Sequence, residues 1–191
     1  MTPILGIMAS AMSANLAPLN GFVSIATQTV GAGGASSVTF SSIPSVYKHL
    51  QIRAIAKYSL TNLDQSNFII NCNSDTSSSY SYHRVWGTGA AVQAAGGASL
   101  SAGYLQTMMP SNHSSSTNMF GSTVVDFLDY QNTNKFKTVR ALGGYDRNGS
   151  GIIALASFVW QKTDAISSIT ITPDSDAWMQ YSQFALYGIE G

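Results

Sequence analysis

Apolar and polar residues alternate in short runs about every 8–12 residues from residue 22 to residue 189, and no stretch sustains a helical period. That pattern leaves little besides an all-β domain. Successive side chains of a strand point to opposite faces, so each alternating run predicts one face on a core and one toward solvent. Sheets of that kind are antiparallel. About nine or ten such runs predict a sandwich or barrel. A length of 191 residues suits one domain. The expected architecture is an antiparallel, jelly-roll-like β-sandwich over residues 22–191. An extended or short-helical arm over residues 1–21 precedes it.

Residues 41–57 carry the clearest run. Pro44 opens a turn, and a strand begins near His49. Leu50, Ile52, Ala54 and Ala56 fall on one face, and Gln51, Arg53, Ile55 and Lys57 on the other. Upstream, residues 22–30 and 37–42 read as two strands of a hairpin, joined through Gly31, Ala32, Gly33 and Gly34. Further strands are expected over 67–73, 80–86, 120–130, 135–145, 152–161, 166–172 and 182–189. The run at 152–161 is almost continuously apolar, which predicts a central strand. Asn148 and Gly149 predict a tight turn between the strands that flank them. Residues 87–103 hold five glycines and no period, so a long exposed loop is expected there.

Charged side chains make up 9% of the chain, against roughly 25% in an average soluble domain. Nine basic residues balance nine acidic ones, and Glu190 is the one glutamate. A surface this poor in charge protects a free monomer badly against association. Two readings follow: a subunit that hides much of its surface in an assembly, or a β-rich extracellular-type domain with a Ser/Thr-rich surface. Nucleic acid is excluded as a partner class, because neutralising phosphates takes clustered Lys and Arg.

The lone Cys72 has no intrachain disulfide partner. It shares a face with Phe68 and Ile70 and is expected to be a small buried hydrophobe. The apolar N-terminal run has no Lys or Arg ahead of it and is interrupted by Pro3 and Gly6. It therefore reads as neither a signal peptide nor a membrane span. Ile4, Leu5, Ile7, Met8, Met12 and Leu16 are the candidate contacts of an arm that docks on its own domain or on a neighbouring subunit.

No catalytic, cofactor-binding or metal-binding residue is assigned. His49, His83 and His113 are far apart and form no ligand pair. Residues 146–150 place oxygen ligands at alternate positions but lack the closing glutamate of a calcium loop, so a hairpin turn is expected. No nucleophile-elbow motif occurs. Asp126 and Asp129 are the two carboxylates inside a strand pattern, and their spacing puts them on opposite faces, which makes no glycosidase pair. Tyr80, Tyr82, Trp86 and Tyr104 could bind sugar or protein if exposed, or pack the core if not.

Residues 42–53, Ser-Ile-Pro-Ser-Val-Tyr-Lys-His-Leu-Gln-Ile-Arg, resemble a recurring signature in virion proteins of tailed bacteriophages. The opening at Thr2 to Ser10, the run Asn134 to Arg140, Gly144-Tyr145-Asp146 and the closing Phe184 to Ile189 are similar to other parts of such proteins, in the same order. The resemblance implies a jelly-roll-like sandwich on the outer surface of a phage particle, as a homotrimer. It implies a non-enzymatic capsid decoration (cement) protein whose partners are the major capsid protein and itself, without a membrane or cofactor. The alternative it allows is a tail-fibre or receptor-binding appendage that contacts host glycan.

Overall fold

The computed structural model describes residues 21–61, 65–105, 109–110 and 118–191. These carry strands β1 (Phe22–Thr29), β2 (Val38–Phe40), β3 (His49–Ala56), β4 (Gln65–Ser66), β5 (Phe68–Cys72), β6 (Tyr80–Gly87), β7 (Val92–Leu100), β8 (Gly103–Tyr104), β9 (Met109–Pro110), β10 (Gly121–Phe127), β11 (Lys137–Asp146), β12 (Gly151–Trp160), β13 (Ile169–Pro173) and β14 (Gln183–Ile189). The protein is all-β, and no helix occurs among the described residues. Residues 1–20, with the whole set of arm contacts from Ile4 to Leu16, lie outside the described residues, as does His113.

An eight-stranded sheet has the order β1-β14-β3-β10-β11-β12-β6-β7, and a four-stranded sheet the order β2-β13-β5-β8. Every ladder is antiparallel. The short β4–β9 pair stands apart from both. The core lies between the two large layers. Leu50, Ile52, Ala54 and Ala56 supply it from β3, as alternation predicts, and Val125, Phe127, Val139 and Phe158 supply it from the neighbouring strands. Phe68, Ile70 and Cys72 face them from β5, with Ile169 and Ile171 from β13. Trp178 and Phe68 close the gap against Phe184 of β14, with ring centroids 5.2–6.0 Å apart. Such tilted aromatic contacts add to the area they bury.

Four expectations are corrected, the last of them at Asp129. β1 and β2 form no hairpin: β1 pairs with β14 and β2 with β13, in different sheets. The C-terminal segment comes between them. Val30 exchanges backbone hydrogen bonds with Tyr181 and Ser182, and Ala35 bridges to Trp178. Residues 87–103 are not one long loop. β7 occupies most of that stretch and pairs with β6, with a register shift between Tyr80 and Tyr82. Glycine and alanine give no apolar contrast on an edge strand, so its ladder is a backbone matter only. Lys57 is not on the exposed face with Arg53; it is buried, because β3 ends at Ala56 and the Lys57 backbone binds the Ser182 hydroxyl.

The stretch before β3 is a clasp. The Tyr130 hydroxyl donates to the Pro44 carbonyl, and the Tyr47 ring lies against Gly188 where a Cβ would collide with it. Lys48 reaches Asp129 at 3.0 Å, and Lys135 pairs with the same carboxylate. Those two ammonium groups hold the Asp129 carboxyl down to about 2. The Asp129 amide donates to His49 Nδ1 at 2.9 Å. Asp129 therefore sits in a turn beyond β10, with φ at 48°, rather than inside the strand.

Candidate functional site: the outer face of the large sheet

Cross-strand register places three rows of side chains on the face of the large sheet that points away from the core. One runs Arg53, Val124, Leu142, Leu155, Val85 and Ala94. A second runs Ile55, Ser122, Gly144, Ile153, Gly87 and Val92. A third runs Gln51, Asp126, Arg140, Ser157, His83 and Gly96. Apart from Arg53 and Ser122 the first two rows carry only apolar side chains or glycine, and their large members are open to solvent: Ile153 is 64% exposed, Leu142 and Leu155 53%, and Ile55 49%. Isolated exposed apolar residues are ordinary, but a contiguous set in register marks an interaction surface.

The face is concave. A depression of about 870 Å³ is lined by Val124, Leu142 and Ile153 on its floor and by the turns at Thr88, Gly89, Gly149 and Ser150 on its rim. Gly144 lines it where β11 and β12 come into close contact. Its φ is +156°, and a Cβ there would come within 2.0 Å of the Ile152 carbonyl oxygen. A smaller hollow of about 290 Å³ adjoins it between His83, Val85, Arg140 and Leu155.

The row of Gln51, Asp126 and Arg140 bounds the apolar surface on one side. Gln51 Nε2 donates to Asp126 Oδ1 at 2.9 Å, Arg53 Nε donates to Gln51 Oε1 at 2.8 Å, and Arg140 lies 3.8 Å from Asp126. The Arg53 guanidinium also lies 5.1 Å from the Phe22 ring centroid and 5.3 Å from that of Tyr187. Cation–π contacts of this kind tie the edge strand β1 to the middle of the face.

The other sequence candidates do not assemble into a site. His49 belongs to the Asp129 clasp, whereas His83 stands on the outer face. Among the described residues, no group of three His, Cys, Asp or Glu side chains is placed to hold a metal ion. Residues 146–150 form the expected hairpin turn: the Asn148 amide donates to Asp146 Oδ1 at 2.7 Å, and Arg147 donates to the Ser150 carbonyl at 2.6 Å. Tyr80 is fully buried, Tyr82 and Tyr104 pack on each other at 6.1 Å, and Trp86 carries Arg84 over its ring at 4.1 Å.

Asp75 is a structural carboxylate. It accepts from the Ser77 amide at 2.9 Å, from the Ser77 and Ser79 hydroxyls at 2.6 Å each, and from Trp160 Nε1 at 2.7 Å. Burial works against its charged form, yet these bonds win and hold its carboxyl well below the usual range. Cys72 is fully buried. Burial pushes its thiol far up, and the nearby Asp75 charge adds to that.

Sequence reasoning missed the outer face. One signal was present. The continuous apolar run at 152–161 predicts a central strand, and β12 does lie inside the ladder between β11 and β6. Its second apolar face, at Ile153 and Leu155, is open rather than covered. No protein-family model, curated protein or solved structure matches this chain.

Proposed function

We propose that this chain is a non-enzymatic structural protein of a tailed-phage virion, acting as a capsid decoration protein. In this reading a jelly-roll-like sandwich seats on the major capsid protein as a homotrimer on the outer surface of the head. The observation that carries the reading is the contiguous apolar surface on the outer face of the large sheet, on a chain with few charges. A solvent-facing sheet surface of this kind gains by being covered, at about 25 cal/mol per Å² of apolar area withdrawn from water. Three copies that engage a lattice together multiply a modest single contact. The resemblance of residues 42–53 to virion proteins supports the same reading. Those residues build the clasp before β3, so they specify the fold rather than the contact.

The test is location and stoichiometry. Hundreds of copies per particle, with heads that lose resistance to heat or osmotic shock when the protein is stripped, are the expected result. A few copies at the tail would sink the decoration reading in favour of a receptor-binding appendage. Leu142→Asp with Leu155→Asp, both on the exposed face, leaves the domain folded and lowers its occupancy on stripped heads at least tenfold.

A further inference from the structure

We infer that β7 is a pairing edge, and that its partner is β7 of a second copy of this chain. The strand ends the large sheet. Among the described residues it has β6 on one side and no strand on the other. The direction of its backbone groups follows from the β6–β7 hairpin. The Thr88 amide donates to the Ala91 carbonyl, so Thr88 and Ala91 are a hydrogen-bonded pair. Bonded and non-bonded pairs alternate along an antiparallel ladder. Trp86 with Gln93, Arg84 with Ala95 and Tyr82 with Gly97 are therefore the bonded pairs that follow. The amides and carbonyls of Val92, Ala94 and Gly96 point the other way, off the edge of the sheet, and all three residues are exposed. Three residues with two groups each put six backbone groups in one row, with no partner among the described residues.

Little in β7 blunts that edge. Edge strands are usually protected by short length, charge, proline or a bulge. β7 is nine residues long, and Val-Gln-Ala-Ala-Gly-Gly-Ala-Ser-Leu contains no Lys, Arg, Asp, Glu or Pro. The register shift of the hairpin lies between Tyr80 and Tyr82, so the stretch from Val92 to Gly97 is regular. The opposite edge, β1, differs. Its ladder shifts register in mid-strand, between Ser24 and Ala26, and a bulge there interrupts the row of outward groups.

The row on β7 is its own complement. In an antiparallel pairing about a two-fold axis at Ala94, Val92 meets Gly96 of the second copy, Ala94 meets Ala94, and Gly96 meets Val92. Each is a bonded pair that exchanges two hydrogen bonds, and no like charges are brought together. Pairing β7 with β1 of another copy would leave a free edge at each end and propagate as a filament, whereas the β7 pair closes on itself. The regular stretch is about 20 Å long, so the contact is that of a weak, reversible dimer. The axis stands perpendicular to the sheet, which keeps both outer faces on one side. The row of Leu142, Leu155, Val85 and Ala94 then runs on into the same row of the second copy. The inference goes beyond the virion reading and does not rest on it.

The experiment uses the full chain with no particle present. Sedimentation velocity is run from about 5 to about 500 μM, with residue-resolved amide exchange at both ends of that range. The expected result is a monomer at the low end and a dimer at the high end, where exchange at Val92, Ala94 and Gly96 slows at least about threefold. The amides of Gln93, Ala95 and Gly97, bonded to β6, are protected at both ends. Ala94→Pro removes the central outward amide and spares the β6 ladder, and Ala94→Lys sets two like charges opposite each other across the axis. Both variants keep the parent's circular dichroism and stay monomeric at the high end. Mixing Ala94→Lys with Ala94→Glu restores a dimer that neither forms alone. A monomer at every concentration, a dimer that survives Ala94→Lys, a Lys–Glu mixture that stays monomeric, protection of the three outward amides that does not change with concentration, or a filament overturns the inference. Any of these leaves the decoration reading standing, and a protein absent from heads would in turn leave the dimer intact.

Discussion

Replacing Asp75 with alanine tests how the two sheets are fastened together. Asp75 lies in the turn that leaves β5 of the small sheet and enters β6 of the large one. Its carboxylate binds that turn through Ser77 and Ser79, and binds the large sheet through Trp160 of β12. Trp160 is 2% exposed, so in Asp75→Ala its indole N–H loses its partner with little access to water. An orphaned buried donor costs about 1–3 kcal/mol, and a lost charge-assisted bond lies at the upper end of that range. With the loosened serine turn, the expected loss is about 3 kcal/mol, which lowers the melting temperature of a chain this long by about 6–12 °C. Urea denaturation and calorimetry read both numbers. A double-mutant cycle with Trp160→Phe isolates the shared bond and is expected to give a coupling of about 1–2 kcal/mol.

The pH dependence follows from the depressed carboxyl. Its unfolded value is near 3.9, and the folded value lies below that. Its contribution is complete above about pH 5 and is lost as pH falls through the folded value. Asp75→Asn therefore loses less stability than the parent between about pH 5 and pH 2. If Asp75→Ala melts within about 2 °C of the parent, or if the cycle with Trp160→Phe is additive, the fastening argument is wrong.

Two further outcomes are expected. Cys72, fully buried with its thiol pushed up, stays unlabelled by iodoacetamide in the folded protein and reacts fully in denaturant. Rapid labelling without denaturant would refute that packing. Gly144→Ala forces a Cβ against the Ile152 carbonyl and opens the β11–β12 ladder, so it costs more than about 3 kcal/mol in urea denaturation. Gly149→Ala, where nothing lies within 4 Å, keeps the ladder and suffers only the milder strain of its positive φ.

The sequence carried most of the strands because their alternation reflects a real difference between two faces. β3, β5, β10 and β11 each bury every second residue, and each was legible. β7 was not, because Val92–Leu100 is built largely from small residues with no face to prefer. The β1–β2 pairing was misjudged for a different reason. Glycines at 31, 33 and 34 signal a change of direction, but not which sheet the chain enters next. The partner of β1 is β14, more than 150 residues away, and no local signal encodes that distance. The outer face was illegible because an apolar residue looks the same in sequence whether a neighbour covers it or not.

The place of β14 has a consequence for how the molecule comes into being. β14, which follows the other described strands in sequence, fills the slot between β1 and β3, which are made well before it. Domains fold as their sequence becomes available, and long-range pairings come late. While it is being made, the chain therefore holds β1 and β3 without the strand that joins them, and Phe184 and Leu186 are missing from the core. β14 is a keystone: the large sheet can close only once Gln183–Ile189 has been made, so a message or a protease that removes that strand deletes the join between β1 and β3.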